Sequence, residues 1–269
     1  MSRTRTTALA VAASGGLLVL TAPPALAEET ATVSILHAVP GVPVDVYANG
    51  QELIPDFQPG TLTDPLSLPA GSYDLAIYPA GSDPAGTQPA AKADDVAVPA
   101  GANATVVAHL TESGAPVITP FVNDVSAVPA GQARLTVRHT AAAPAVDVRA
   151  GGTVVAPGLT NPAEATLTVP PGTVSADVTL AGTGTVAIGP ADLQLAEGTV
   201  TAVYAWGSAD AGYQLAVQTL SGMHSSPSAV PGGSGGLVDD GLPTSLIALS
   251  GAGLLAAGLA GRRLLTARA

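Results

Sequence analysis

One stretch of the chain occurs twice, 102 residues apart, and no other feature restricts the fold as much. The first copy reads Val33-Ser-Ile-Leu-His-Ala-Val-Pro-Gly-Val-Pro-Val-Asp-Val-Tyr-Ala-Asn-Gly50 and the second Leu135-Thr-Val-Arg-His-Thr-Ala-Ala-Ala-Pro-Ala-Val-Asp-Val-Arg-Ala-Gly-Gly152. His37 precedes Asp45, and His139 precedes Asp147, by the same eight positions, each Asp lying in Val-Asp-Val. Both copies give a strand, a Pro-bearing loop, a second strand and a Gly turn.

The pattern from Thr32 onward is that of β structure. Val33, Ile35 and His37 share one parity, as do Val44 and Val46, which is the period of a half-buried strand. Runs near 61–68, 72–79, 94–98, 103–111 and 115–122 follow between turn signals. Pro69-Ala-Gly71, Pro99-Ala-Gly101 and Pro129-Ala-Gly131 place Pro second and Gly fourth for type I turns. The second copy repeats the layout: Leu66–Gly71 matches Leu167–Gly172, Asp95–Val98 matches Asp192–Leu195, and Val106–His109 matches Val203–Trp206. This density of short strands predicts an all-β chain of two tandem Ig-like or transthyretin-like Greek-key sandwiches, over 28–130 and 131–222. Each copy holds its own apolar face, so each is expected to stand as a domain, joined through Val128-Pro-Ala-Gly131. With 3% aromatic residues and no Cys, the core must come from Val, Leu, Ile and Ala, without disulfides.

The ends read differently. Residues 1–27 have the form of a secretory signal: Arg3 and Arg5, an apolar run, and Ala25-Leu-Ala27 as the cleavage site. Residues 223–240 are a Gly, Ser and Pro-rich stalk, and 241–261 carry no charge over a length that suits a transmembrane helix. Arg262, Arg263 and Arg268 in 262–269 then form a basic cytoplasmic tail. The expected topology is a single pass, N-terminus outside, with the sandwiches on the extracellular face of the membrane.

All 20 acidic residues lie between Glu28 and Asp240, where the basic ones are only Lys92, Arg134, Arg138 and Arg149. Such a segment repels phosphate backbones, so nucleic acid is not an expected partner.

His37–Gly50 resembles the signature of a bacterial family, domain of unknown function 4397, in which a His-small-x-Pro element precedes Val-Asp-Val-Tyr and a Gly turn. The second copy departs from it at Ala142, where Pro40 stands in the first, and at Arg149 in place of Tyr47. The resemblance covers about 31–222, in two tandem copies. It implies a secreted β-sandwich protein with no established activity and makes His37, Asp45, Tyr47, Gly50, His139, Asp147 and Gly152 signature residues. The C-terminal layout resembles a Gram-positive sorting signal, although Leu242-Pro-Thr-Ser-Leu246 lacks the Thr and Gly of Leu-Pro-x-Thr-Gly, so membrane retention is expected instead. The Ala, Gly and Pro-rich composition suggests a high-GC actinomycete.

A His and an Asp could ligate a metal or act as an acid–base pair. Parity opposes this, because His37 shares the face of Val33 and Ile35 while Asp45 points away from Val44 and Val46. Each His is expected to pack at a strand end against backbone, and each Asp to tie a neighbouring loop from nearer the surface. Asp94-Asp95 and Asp239-Asp240 lack the spacing of a calcium loop. His109 and Trp206 hold equivalent places, and Trp206 suits partial core. Asn103-Ala-Thr105 has the form of a glycosylation sequon, which means little in a bacterium. No nucleophile elbow, His-Glu-x-x-His or phosphate loop occurs. The expectation is a non-enzymatic surface module without cofactor or metal that binds an extracellular or envelope partner. Its rival is a passive envelope spacer, and a metal-dependent enzyme stands third. An aromatic groove near Tyr47 would favour binding; a patchless acidic surface would favour the spacer.

Overall fold

A computed structural model describes residues 29–225. The leader with Ala25 and Ala27, the stalk beyond 225, Asp239-Asp240, the 241–261 segment and the basic tail lie outside the described residues. Among the described residues all regular structure is β, and no helix is long and apolar enough to cross a membrane.

The first eight strands are β1 (Thr30–Ala38), β2 (Val44–Ala48), β3 (Gln51–Phe57), β4 (Leu66–Pro69), β5 (Gly71–Pro79), β6 (Ala91–Val98), β7 (Asn103–Leu110) and β8 (Pro116–Val122). The next eight are β9 (Ala133–His139), β10 (Val146–Ala150), β11 (Thr153–Leu159), β12 (Glu164–Val169), β13 (Gly172–Leu180), β14 (Val186–Leu195), β15 (Val200–Ser208) and β16 (Gly212–Leu220). They form four four-stranded sheets, β4-β1-β7-β8 and β3-β2-β5-β6 in the first half, β12-β9-β15-β16 and β11-β10-β13-β14 in the second. All pairings are antiparallel except β1 with β7 and β9 with β15.

Alternation along the strands decides which residues meet. Val33 and Ile35 on β1 and Val106 and Ala108 on β7 face Val44, Val46, Leu75, Ile77 and Val96, closing the first core. Leu135, Val137, Val203 and Ala205 face Val146, Val148, Val178 and Leu193 in the same way. The void in the first core is about 30 Å³, the space of one water, so this is packed interior and not a ligand chamber.

The opposite parity on the same central strands is also buried. Leu36, Ala38, Val107 and Phe121 pack on Ala202, Tyr204 and Trp206, so the β1-containing sheet of one half lies face to face with the β9-containing sheet of the other. Both central sheets are therefore covered on two sides, and strands such as Val200-Thr-Ala-Val-Tyr-Ala-Trp-Gly207 are buried throughout. A buried polar chain crosses this contact. The Thr105 and Tyr204 hydroxyls both donate to Gln218 Oε1 at 2.8 Å, and Asn123 Nδ2 donates to Thr105 Oγ1 at 3.1 Å. The Arg138 guanidinium donates to Tyr204 at 2.6 Å and to Glu164 at 2.8 Å. It also lies 4.7 Å from the Phe121 ring centroid. Residues 29–225 accordingly form part of one compact unit.

Local details depart from the sequence expectation in three places. Nothing in Gln51-Glu-Leu-Ile-Pro-Asp-Phe57 marks β3, since it carries a Pro and no clean alternation; a bulge with Asp56 at φ 49° accommodates it. The 61–68 run is mostly loop, with one bridge from Leu62 to Leu36 before β4 begins. The turns after Pro99 and Pro129 place Pro first, since its carbonyl accepts from the N–H of Ala102 or Gln132. Gly101 and Gly131 then sit third at positive φ, as type II and not type I requires.

Candidate functional site

The paired histidines act on the loops that follow them. His37 is fully buried at the end of β1, and its Nε2 donates to the Val42 carbonyl at 3.1 Å while Nδ1 accepts from the Val39 N–H at 3.4 Å. His139 repeats this, donating to Pro144 O at 3.0 Å and accepting from the Ala141 N–H at 3.4 Å. Both ring nitrogens are used within the Pro-bearing loop. Burial pushes both imidazoles below the ordinary value of 6.5, with the loop carbonyls opposing. His37 also lies 5.9 Å from Phe57, a core residue.

The paired aspartates tie together two other segments each. Asp45 Oδ1 accepts from the Asp56 N–H and Oδ2 from the Gly81 N–H, both at 2.8 Å. Asp147 accepts from Gly158 at 2.8 Å and Gly182 at 2.9 Å. The donors are the bulge of β3 or β11 and the turn after β5 or β13. The Gly182 and Gly158 N–H groups hold the Asp147 carboxyl below the usual carboxylate value. The expectation that Asp45 lies near the surface is corrected here. Its side chain does leave the core face, but the bulge and the Gly81 turn close over it and leave Asp45 only 6% exposed. No hydrogen bond joins His37 to Asp45 or His139 to Asp147, and among the described residues no group of His, Cys, Asp and Glu is placed to hold a metal.

Gly50 and Gly152 close the two-residue turns between β2 and β3 and between β10 and β11, both at positive φ, with Asn49 at φ 52° before Gly50. Asn49 Oδ1 also accepts from the Asp74 N–H at 2.8 Å.

Tyr47 lies on the solvent side of the β3-β2-β5-β6 sheet. Its ring meets Tyr78 edge-on at 5.3 Å, and its hydroxyl donates to Glu52 at 3.1 Å. With Ala76, Pro84 and Pro89 the two rings wall a surface groove of about 210 Å³, rimmed by Asp74, Asp94 and Lys92. The long β5–β6 connection supplies both prolines. In the second half this place is filled differently: Arg149 stands at the Tyr47 position and pairs with Asp177 across the β10–β13 ladder. The β13–β14 connection is short there, and no tyrosine pair forms.

The remaining candidates are accounted for by local structure. His109 is fully buried, its Nδ1 donating to Leu110 O at 2.9 Å and its Nε2 accepting from Thr119 at 2.8 Å. Trp206 is buried between the halves against Gly60. Asp94 pairs with Lys92, and the Asp95 N–H donates to Asp74. The Asn103 side chain accepts from Asn123 at 2.7 Å. A broader groove lined by Glu112, Ser113, Thr119 and Asn161 lies where the halves meet, and no sequence motif marks it.

The described residues thus define an all-β body of paired sheets whose loops are fixed by recurring His and Asp side chains. Residues 31–149 match the family model described as Domain of unknown function (DUF4397), a span reaching from β1 to β10. No curated protein matches the sequence.

Proposed function

We propose that the protein is a binding module of the bacterial envelope, tethered to the membrane through 241–261 and exposing two tandem copies of this domain outside the cell. The Tyr47–Tyr78 groove carries the proposal. It is half-exposed, aromatic and flanked by a long loop, and the second half builds nothing like it. Aromatic side chains left half-exposed on a sheet face are a frequent basis of recognition. The His and Asp ties fit a rigid scaffold and use up the groups that chemistry would need. A Greek-key, Ig-like or transthyretin-like description of each half is supported by β4 returning beside β1 after the β2–β3 hairpin. Envelope location rests on the leader and C-terminal composition.

The test is retention of envelope components by the immobilised full chain, compared with Tyr47→Ala/Tyr78→Ala. Retention that depends on the two rings supports a binding module. No retention by either favours the passive spacer, and equal retention by both removes the groove as the binding surface.

A further inference from the structure

We infer that the Tyr47–Tyr78 groove receives the guanidinium of an arginine side chain presented by a protein partner; this rests on the binding reading above. The groove, at about 210 Å³, has room for one long side chain and falls below the size of an ordinary small-molecule pocket. Its walls are two phenol rings and two prolines, and ring faces attract cations. A guanidinium is planar, weakly hydrated and able to stack on a ring while hydrogen-bonding a carboxylate, which an ammonium does less well.

The charges around the groove favour the same occupant. Residues 29–122 hold ten acidic side chains against the single Lys92, whereas 133–225 hold six against three arginines. Lys92 sits on the rim but is bound to Asp94 at 2.9 Å. Asp74, on the same rim, accepts the Asp95 N–H through Oδ1. Glu52 accepts the Tyr47 hydroxyl, and Asp45 stands opposite Tyr78 in the β2–β5 ladder with its carboxylate taken by the Asp56 and Gly81 N–H groups.

The second half supplies an independent comparison. At the register place of Tyr47 it carries Arg149, whose guanidinium lies on the same outer sheet face and pairs with Asp177. In the first half Tyr47 stands opposite Ala76, so that face has neither the internal guanidinium nor its carboxylate, and has an aromatic pair instead. The second half pairs its cation and carboxylate across β10 and β13, whereas the first keeps its own pair, Lys92 and Asp94, on β6 in the row of Tyr47 and Ala76 and leaves the two rings exposed beside it.

The experiment titrates the full chain with the labelled peptide acetyl-Gly-Ser-Arg-Ser-Gly-amide and with the same peptide carrying citrulline, Lys or Glu at the centre. The expected result is saturable, salt-sensitive binding of the Arg peptide at least about tenfold tighter than citrulline, as loss of a cation–ring contact predicts. Lys92→Gln should tighten it by removing the competing cation, and Tyr47→Phe should keep it. Tyr47→Arg/Ala76→Asp, which copies the second half, should abolish it while leaving Trp206 emission and the unfolding midpoint near those of the wild type. Equal binding of the Arg and citrulline peptides, or unchanged binding by the double variant, overturns the inference. If envelope retention still depends on Tyr47 and Tyr78 in that case, only the ligand class falls and the binding module stands.

Discussion

The Tyr204 hydroxyl accepts a hydrogen bond from the Arg138 guanidinium at 2.6 Å, and both side chains are almost wholly buried between the two halves. Tyr204 passes the bond on to Gln218, which also takes the Thr105 hydroxyl from the other half. The contact between halves is therefore a core in its own right, apolar at Leu36, Phe121 and Trp206 and polar along one line.

Arg138→Ala is expected to lower unfolding free energy by about 2–5 kcal/mol, the scale of a large side chain deleted from a packed interior. Arg138→Met should cost less, because it refills the volume, while Glu164 is exposed enough to be taken up by water and Tyr204 keeps its bond to Gln218. Urea denaturation followed by fluorescence measures both. Trp206 is the only Trp in the chain and lies in this contact, so its emission reports the contact directly.

Fragments 28–130 and 131–225 each contain a full set of strands, yet each would expose one side of this contact. Neither alone is expected to melt with the stability of the joined chain. The second should show red-shifted Trp206 emission that shifts back when the first is added. Emission in the isolated second fragment equal to that of the whole chain would show that the contact contributes little.

Gly60 sits at φ 79°, and an added Cβ would lie 3.0 Å from Trp206 Cζ2. Gly60→Ala is expected to cost about 1–2 kcal/mol for the left-handed backbone alone, with the Trp contact adding to it. The expected readout is a lower urea midpoint with an altered Trp206 spectrum. An unchanged spectrum would mean that Trp206 does not rest on this loop in solution.

How far the residues announced this arrangement depends on the face considered. Val33/Ile35 and Val44/Val46 alternate cleanly, so the inner cores and the recurrence of the same strand order in both halves could be read. Parity also gave the direction of Asp45. It could not show burial, because the cover comes from Asp56 and Gly81, which are remote in sequence and brought near by pairing. The contact between halves was harder still. Its signal is the unbroken burial of Val200–Gly207 and of Leu36 beside Ile35, a pattern in which no polar face remains. Thr201 and Tyr204 within Val200–Gly207 hide it, being counted as outward although both are buried, Tyr204 held by Arg138 and Gln218. The Tyr47 groove depends on the 80–90 loop folding back over the sheet, which no local pattern specifies.

Loop ties should matter more than their parity implied. His37→Ala is expected to cost about 1–3 kcal/mol through lost packing on Phe57 and an unpaired Val42 carbonyl. Asp45→Asn should be comparable, about 1.5–3 kcal/mol, since it removes a charged acceptor from two backbone N–H groups. A midpoint for Asp45→Asn close to wild type would show that water replaces the carboxylate despite its cover.

The histidines give the chain a defined acid response. Burial lowers the imidazoles of His37, His109 and His139 in the fold from 6.5, and the nearby His139 ring adds to the effect at His109. Below about pH 6.5 the unfolded chain therefore binds protons that the folded chain refuses. Their contribution to stability is complete above that pH, declines as the pH falls through it, and is lost once the lowered folded values are passed. Asp147 acts the same way further down: its carboxyl is held below 3.8, so its contribution persists above that value and disappears at lower pH. Urea midpoints measured from pH 8 to pH 3 should be flat at first and then fall in two stages, the first beginning near 6.5. His109→Gln should shrink the first stage without moving the second. A midpoint constant between pH 8 and pH 5 would show that these rings are protonated in the fold as readily as in the unfolded chain, and that burial at the ends of β1, β7 and β9 does not hold them neutral.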